Sequence, residues 1–181
     1  MELIKTNKEL KEVCKILTKA KFITIDTEFI REKTYWSQLC LIQVCSGNIE
    51  VIIDPLEEEI DLTPFIKILN KKSVLKVLHS GRQDIEIFYK ISGKIPSPIF
   101  DTQVAAMVCG FGDSVGYEKL VDKILKKKID KSSRFSNWAK RPLTKQQLQY
   151  AIGDVTHLYE IYPILNNCLL YTSDAADDWS S

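Results

Sequence analysis

Two carboxylates at the end of an apolar stretch are the residues in this sequence best suited to chemistry. Residues 22–29 read Phe-Ile-Thr-Ile-Asp-Thr-Glu-Phe, which predicts a buried β-strand with Asp26 and Glu28 two positions apart. Because side chains alternate along a strand, both carboxylates point to the same face. Such like charges repel each other and resist desolvation, so we expect a hard cation, Mg²⁺ or Mn²⁺, between them. The alternative is a strand that ends in a polar turn.

Three residues further along the chain fit the same chemistry. Asp84 opens a predicted helix directly after the apolar stretch 74–79, and sites form where the strands of an open α/β sheet end. Tyr150 and Asp154 are four residues apart on one face of a predicted helix. Alone, Asp84 reads as a helix-capping acid and Tyr150 as a core residue. The cation expected at Asp26 would supply the partner that a carboxylate on an apolar face needs.

The elements that must position these residues alternate in type along the chain. Strands are predicted near 21–28, 38–45 and 50–53 as an antiparallel meander, and two more near 74–79 and 99–100. The pattern predicts a mixed α/β fold, with a five-stranded sheet of three antiparallel and then two parallel strands, flanked by helices. Helices are predicted at 6–20, 62–70, from Asp84 to about 91, and at 102–109, 116–127 and 144–162.

Length and composition indicate one cytoplasmic domain. The chain has 181 residues, a net charge of +1 and five cysteines without a Cys-x-x-Cys pair, which favours free thiols over disulfides or zinc. No apolar run reaches the ~18 residues of a membrane span, and the N-terminus lacks a signal pattern, so we expect no membrane association.

One segment carries most of the positive charge. Residues 119–145 hold ten Lys or Arg and two Asp, a local charge of +8. Such a block can follow the phosphates of a nucleic acid, although a solvated helix face has the same composition.

The C-terminal segment does not continue the preceding pattern. Residues 168–181 resemble the conceptual translation of a sequencing-library adapter, so we expect a domain over 1–167 followed by a non-native tail. The alternative is a natural acidic tail.

Together, these motifs resemble those of a known family. Asp26-Thr-Glu28, His79-Ser-Gly-Arg-Gln-Asp84 and Tyr150-x3-Asp154 are similar to the three motifs of DEDD exonucleases with a tyrosine in the third motif. The longer stretches 26–43, 100–105, 115–120 and 138–144 resemble the ribonuclease D family. The likeness covers nearly all of residues 1–165 in the same order and spacing.

The resemblance implies an RNase H-like fold and 3′-5′ exoribonuclease activity that releases 5′-mononucleotides with two divalent cations. In that family pattern Asp26 bridges both ions, while Glu28 and Asp154 hold the ion that activates water. Asp84 supports the second ion. Tyr150 positions the attacking water, since a phenol with a pKa near ~10 is a poor base.

Six further residues are candidates for binding the substrate. By resemblance, Thr27 and Phe29 line the pocket of the terminal nucleotide, although Phe29 fits an ordinary core equally well. Gln38 is either a polar neighbour of the site or a surface residue. The basic loop around the packing anchor Trp138 is expected to guide the RNA backbone through Arg134, Lys140 and Arg141. His79 and Asp101 are read as structural.

The expected substrates are RNA 3′ ends, with tRNA precursors the first candidate, and no obligate protein partner is evident. The alternatives are a DNA 3′-5′ exonuclease and a catalytically idle RNA-binding module. Two departures from the family stand out. Bacterial ribonuclease D usually continues into C-terminal helical domains, and Gly153 stands where alanine is common.

Overall fold

A computed structural model describes residues 1–31 and 35–177, so residues 32–34 of the predicted connection and 178–181 of the predicted tail lie outside it. Within the described residues, one sheet holds six strands in the order β1-β4-β3-β2-β5-β6. The strands are β1 (Glu2–Ile4), β2 (Phe22–Ile30), β3 (Gln38–Cys45), β4 (Glu50–Ile53), β5 (Leu75–Leu78) and β6 (Ile99–Asp101).

The predicted mixed sheet is confirmed, with one strand more than expected. β2, β3 and β4 pair antiparallel, and β5 and β6 join beside β2 in parallel. The additional strand is β1, which pairs in parallel with Val51–Ile53 of β4. It has three residues, too few for an alternating pattern to be recognised in the sequence, and its partner lies far along the chain.

The helices of the described chain cover both faces of the sheet, and most begin and end close to the predicted residues. Thr6 and Glu9 form the expected capping box before the first helix, and Asp101 caps the fourth through the backbone N–H of Gln103. The helices are α1 (Asn7–Leu17), α2 (Thr63–Leu69), α3 (Arg82–Ser92), α4 (Thr102–Val108), α5 (Tyr117–Leu125) and α6 (Lys145–Asp177). None of these helices is long and apolar enough to cross a membrane.

The alternation of β3 divides the core between the two faces of the sheet. Ile42 and Val44 point towards α1, α2 and α3, whose apolar side chains, such as Leu10 and Phe65, form the larger core. Leu41 points to the other face and packs with Ala151 of α6 and the buried Trp138. A third cluster joins α4, α5 and α6. The sheet is therefore buried on both sides, and α6 is the helix that crosses the face opposite α1.

The C-terminal division at residue 167 falls inside α6, which runs unbroken from Lys145 to Asp177. That division stays a prediction. Cys168 of this helix is disulfide-bonded to Cys109, with Cα atoms 6.1 Å apart. Cys14, Cys40 and Cys45 are free and buried. The expectation of free thiols thus holds for three of the cysteines and is wrong for the Cys109–Cys168 pair.

An ion pair between the partly exposed Arg141 and the buried Asp54 fixes the loop that leads into α6. All five N–H groups of the Arg141 guanidinium are used: two bond the carboxylate of Asp54, and three bond the carbonyls of Cys40, Trp138 and Lys140. The Asp54 side chain is 0% exposed, and its distances to Arg141 are both 2.6 Å. Such a bidentate pair joins the α6 loop to β3 and to the end of β4.

We predict that Arg141→Met destabilises the protein by about 3–5 kcal/mol, because it leaves the Asp54 carboxylate buried without its partner. Urea unfolding followed by circular dichroism measures the change. The neighbouring and exposed Lys140 offers the control, and Lys140→Met should stay within about 0.5 kcal/mol of the parent protein. Equal unfolding midpoints for the two variants would show that the ion pair does not support the fold.

Candidate active site

The central strand β2 presents the first two carboxylates. It lies between β3 and β5, so its backbone is held on both edges. Its register with β3 shifts between Glu28 and Phe29, which pair with Leu41 and Leu39 and leave Cys40 as an extra residue. A bulge of this kind bends a strand locally and redirects the side chains beside it. Asp26 and Glu28 lie immediately before that irregularity.

A tight turn between β5 and α3 sets the position of Asp84. The Asp101 carboxylate accepts hydrogen bonds from the backbone N–H groups of Ser80 and Gly81, at 3.1 and 2.9 Å. A Cβ on Gly81 would lie 2.7 Å from the Cβ of Leu78, so the turn needs glycine there. Asp84 follows in the first turn of α3, is 7% exposed and accepts a hydrogen bond from the Thr27 hydroxyl. The structural role predicted for Asp101 is thereby confirmed.

The helix α6 supplies Tyr150 and Asp154, one turn apart on the same face. The helix backbone beside Asp154 is held from two directions. From α5, the Tyr117 hydroxyl donates to the carbonyls of Gly153 and Asp154. From β2, the Thr24 hydroxyl donates to the Val155 carbonyl at 2.7 Å. Asp154 is therefore fixed relative to the strand that carries Asp26.

The structure brings the predicted acidic residues together. Asp26, Glu28 and Asp154 each contribute one carboxylate oxygen to a group of three atoms that lie within 4.8 Å of one another. Asp84 is outside this group of three but close enough to Asp26 to raise its pKa. Across the described residues, no lysine, arginine or histidine forms an ion pair with any of these four acids. The cluster has the oxygen donors and the uncompensated negative charge that suit Mg²⁺ or Mn²⁺.

Burial raises the pKa of every carboxyl in the cluster, and repulsion by neighbouring acids of the cluster raises the pKa of Asp26 and Glu28 further. Burial, and then the charges of Asp84, Asp154 and Glu28, raise the pKa of Asp26 well above its usual range. Burial, followed by the charges of Asp154 and Asp84, raises the pKa of Glu28 to about 9. Burial raises the pKa of Asp154 to about 7. It also raises the pKa of Asp84, against the opposing effect of the Thr27 hydrogen bond.

Tyr150 stays a phenol in this environment. Burial raises its pKa, and the charges of Asp154, Glu28 and Asp26 raise it further. A phenol whose pKa is raised is a still poorer base, so the group is suited to donating a hydrogen bond rather than to removing a proton. Its ring lies 6.1 Å from that of Trp138, centroid to centroid, which packs the side chain beside the acidic cluster.

A cavity of about 340 Å³ opens onto the acidic cluster. Asp26 and Asp154 line it together with Lys119, Lys131 and Arg134, which belong to the basic block found in the sequence. Arg134 also stacks over the ring of Phe135, a side chain that is 92% exposed. Acids and bases around one opening are the arrangement expected for a chain of phosphates that ends at bound cations.

Of the six predicted substrate-binding residues, Arg134 lines this cavity and the other five do not. Thr27 is buried and bonds Asp84, while Phe29 packs against the core on the α1 side of the sheet. Gln38 and Lys140 are exposed outside the cavity lining. Arg141 has no N–H group left for a phosphate because it holds Asp54 and three carbonyls.

The cavity lining also includes two aromatic residues, Tyr117 and His79, that were not predicted from the sequence to belong to the site. Tyr117 was visible only as part of the 115–120 stretch, where an aromatic residue in an amphipathic helix reads as core. His79, expected to be structural, bonds the Thr102 hydroxyl at 3.0 Å and also borders the cavity. Its ring lies 5.4 Å from that of Tyr117. Burial lowers the pKa of His79, so it is neutral at physiological pH.

Comparison with known proteins gives consistent matches over almost the whole chain. A family model described as a 3′-5′ exonuclease matches residues 1–170. A ribonuclease D from Bartonella henselae is 48% identical over 169 residues, which cover 93% of this chain and 42% of that protein. The crystal structure of Escherichia coli RNase D, "an exoribonuclease involved in structured RNA processing", has a TM-score of 0.91 at 36% identity. It covers 94% of this chain and 45% of that one, and it confirms the expected fold.

A structure of Brucella melitensis NrnC with bound Mg²⁺ has a TM-score of 0.77 at 25% identity, covering 87% of this chain and 77% of that one. This chain spans less than half the length of the two ribonuclease D proteins, at 42% and 45%.

The raised pKa values predict how the metal-free protein responds to pH. A carboxyl that binds its proton more tightly when folded stabilises the folded state below its unfolded pKa, 3.8 for Asp and 4.5 for Glu. That stability is lost as the pH rises through the folded values of about 7 and about 9. With a chelator present, the melting temperature of Asp154→Asn minus that of the parent protein should therefore increase as the pH rises from 5 to 9, by roughly 2–4 °C or more.

Differential scanning fluorimetry at fixed ionic strength measures this difference. Millimolar Mn²⁺ should raise the melting temperature of the parent protein and should raise that of Asp154→Asn less. A difference between the two proteins that stays constant from pH 5 to pH 9 would contradict the pKa shift at Asp154.

Gly153 offers a separate test of the helix that carries Asp154. A Cβ at this position would meet its nearest neighbour, Cε1 of His157, at 3.8 Å, which is ordinary contact. Glycine inside a helix is less favourable than alanine by about 0.8–1.0 kcal/mol, so Gly153→Ala should stabilise the protein by about that amount. Urea unfolding should show a higher midpoint with an unchanged slope. A lower midpoint would mean that the helix backbone at Gly153 cannot keep its position once a side chain is present.

Proposed function

The chain belongs to the 3′-5′ exonuclease family, and from this premise we propose that it removes nucleotides one at a time from the 3′ ends of RNA. The resemblance to the ribonuclease D family is confirmed by relatives that are about half identical over most of the chain. The products would be 5′-mononucleotides. The proposal applies to the part of ribonuclease D that this chain matches, which is less than half of the length of those relatives.

The observation that carries the proposal is the set of carboxylates gathered from β2, α3 and α6, two of which, Asp26 and Asp154, line one cavity. Asp26, Glu28 and Asp154 have oxygens within 4.8 Å of one another, and Asp84 lies beside Asp26. Such a set has too much negative charge to serve as a folded core by itself, as the raised pKa values of Glu28 and Asp154 indicate. It has the donors for two divalent cations.

These four residues would hold the cations, with Asp26 shared between them, as the family pattern implies. When bound, two such ions stabilise charge on the phosphate and on the leaving 3′-oxygen and lower the pKa of a bound water. NrnC of Brucella melitensis, which has this fold, was solved with bound Mg²⁺, and that supports the choice of ion.

The chain's own side chains would orient the reactants. Tyr150 keeps its proton and can donate a hydrogen bond that orients the attacking water beside Asp154. Lys119 and Arg134 line the opening and can hold the phosphates that precede the scissile bond, whereas Lys131, which lines it too, is ion-paired with Glu118. Tyr117 adds an aromatic side chain to the cavity, where an unpaired base can stack without being read.

The proposal includes the finer expectations from the sequence. The substrates would be structured RNAs, tRNA precursors first among them, in the cytoplasm, and the catalytic domain would end at residue 167. Escherichia coli RNase D, which shares the fold, is described as acting in structured RNA processing, and that supports this choice. Gln38, Phe29 and Lys140 stay predictions. Thr27 and Arg141 are left out because their polar groups already bond Asp84 and Asp54.

We predict that the protein shortens a 5′-labelled, single-stranded RNA stepwise from its 3′ end when Mg²⁺ or Mn²⁺ is present. Asp26→Asn and Asp154→Asn should each lower kcat by about 1,000-fold or more, since each removes a cation ligand. Tyr150→Phe should lower kcat by about 100-fold without removing a ligand. Gel electrophoresis of the labelled RNA and chromatography of the released nucleotides measure both the direction and the product.

Asp113→Asn is the matched control, because Asp113 is exposed and does not line the cavity. DNA of the same sequence, assayed in parallel, distinguishes an RNA enzyme from a DNA exonuclease. RNA binding without shortening in Mn²⁺ would instead indicate a binding module. If Asp26→Asn degrades RNA as fast as the parent protein, the assignment of the site is wrong.

A further inference from the structure

Gln43 is a buried side chain whose polar atoms have no partner. It lies in the middle of β3 with 0% exposure. Neither its Oε1 nor its Nε2 has a hydrogen-bond partner, and among the described residues it is the one buried side chain with two unmatched polar atoms. A buried polar group without partners destabilises a fold by about 1–3 kcal/mol, so its presence calls for a function.

The register of the sheet places Gln43 next to the acidic cluster. It stands directly opposite Asp26 across the β2–β3 pair, and opposite Ile52 on its other side. Directly opposed residues of antiparallel strands have their Cβ atoms about 4.5–5.5 Å apart and point to the same face. Glu28, opposite Leu41, is then its diagonal neighbour. Gln43 therefore adjoins two of the four carboxylates.

Among the described residues, no side chain bonds Gln43. Leu41, Ile52 and Ala151, which cover this face of the sheet under α6, are apolar. Thr24 is the other diagonal neighbour on β2, but its hydroxyl already donates to the carbonyl of Val155. The register makes Asp26 and Glu28 the acidic neighbours of the Gln43 carboxamide, and neither is bonded to it in this structure.

We propose that Gln43 is a positioning residue for Asp26: its carboxamide N–H, unpartnered in this structure, would donate to the Asp26 carboxylate when the cations are bound and fix the direction in which that carboxylate meets them. The proposal deepens the proposed function and rests on it. A carboxamide suits this task because it donates a hydrogen bond without carrying charge. A lysine or arginine at the same place would form an ion pair with Asp26 and compete with the cations for its charge.

The expected effect follows from what such supporting residues do in other metal sites, where their loss typically lowers metal affinity or activity by about 10–100-fold. Asp26 is the carboxylate on which the others converge, since Asp84, Asp154 and Glu28 all raise its pKa. A loss of orientation at Asp26 should therefore lower kcat and weaken cation binding. It should leave KM for RNA nearly unchanged, because Gln43 is buried away from the cavity lining.

The test replaces Gln43 by methionine, which has a similar length and no hydrogen-bonding amide. Ser46→Ala is the matched control, because Ser46 follows the same strand, is buried, and has an unpartnered hydroxyl away from Asp26. Two quantities are measured for each protein: kcat and KM on 5′-labelled RNA, and the Mn²⁺ concentration that gives half of the full rise in melting temperature. The second quantity does not depend on turnover.

For Gln43→Met we expect kcat to fall by about 10–100-fold, with the Mn²⁺ midpoint raised and KM within about twofold of the parent value. The metal-free melting temperature should be unchanged or higher, because an unsatisfied buried group has been removed. Ser46→Ala should match the parent protein in kcat and in the Mn²⁺ midpoint. Gln43→Leu provides a second apolar replacement if the methionine variant does not fold.

A folded Gln43→Met protein with the parent kcat and the parent Mn²⁺ midpoint would overturn the proposal. Failure of the proposed function would look different. If the parent protein does not degrade RNA but Gln43→Met still raises the Mn²⁺ midpoint, the positioning role stands and the reaction is wrong. If the parent protein shows no Mn²⁺ stabilisation at all, the cation site fails and the role of Gln43 fails with it.

Discussion

The repulsion between carboxylates that share one buried place is the constraint around which this structure is organised. Burial raises the pKa of each of the four acids, and the charges of neighbouring acids in the cluster raise the pKa of Asp26 and Glu28 further. A flexible chain would relieve that repulsion by moving the groups apart. They stay together because they belong to elements that are packed for other reasons. β2 is central in the sheet, α3 is held by the core on the α1 side, and α6 crosses the opposite face.

The attachment of α6 shows how the fold resists that repulsion. In the loop before the N-terminus of α6, Arg141 bonds Asp54 and the Cys40 carbonyl, which ties this loop to the end of β4 and to β3. Further along, Tyr159 stacks on Phe22 at the start of β2, at 4.6 Å between ring centroids, and Tyr162 contacts Phe22 and Phe100. Between these anchors, Tyr117 and Thr24 bond the helix backbone next to Asp154. Apolar contact and charge pairing outside the site thus offset the unfavourable interactions within it.

Local patterns predicted most of this architecture and the acidic residues, because alternation in a strand and a four-residue spacing in a helix place side chains without knowledge of the rest of the fold. What could not be predicted depends on contacts distant in sequence. β1 is defined by its pairing with β4. Arg141 looks like any other member of a basic block until Asp54 is placed beside it. Thr27 alternates away from Asp26, and only the position of α3 explains that its hydroxyl meets Asp84. Gln43 matters because it pairs with Asp26 across β2 and β3, and the sequence of a single strand does not reveal which residues it pairs with.

The order in which the ligands occur along the chain has a consequence for synthesis. Asp26 and Glu28 are made early, Asp84 midway, and Asp154 only with the last helix described. A polypeptide still attached to the ribosome with α6 inside the exit tunnel would have β2 and α3 but an incomplete acidic set. Until α6 has left the tunnel and docked, the proposed cation site lacks the Asp154 carboxylate. The docking of α6 then brings that carboxylate to Asp26 and Glu28 and completes the acidic cluster.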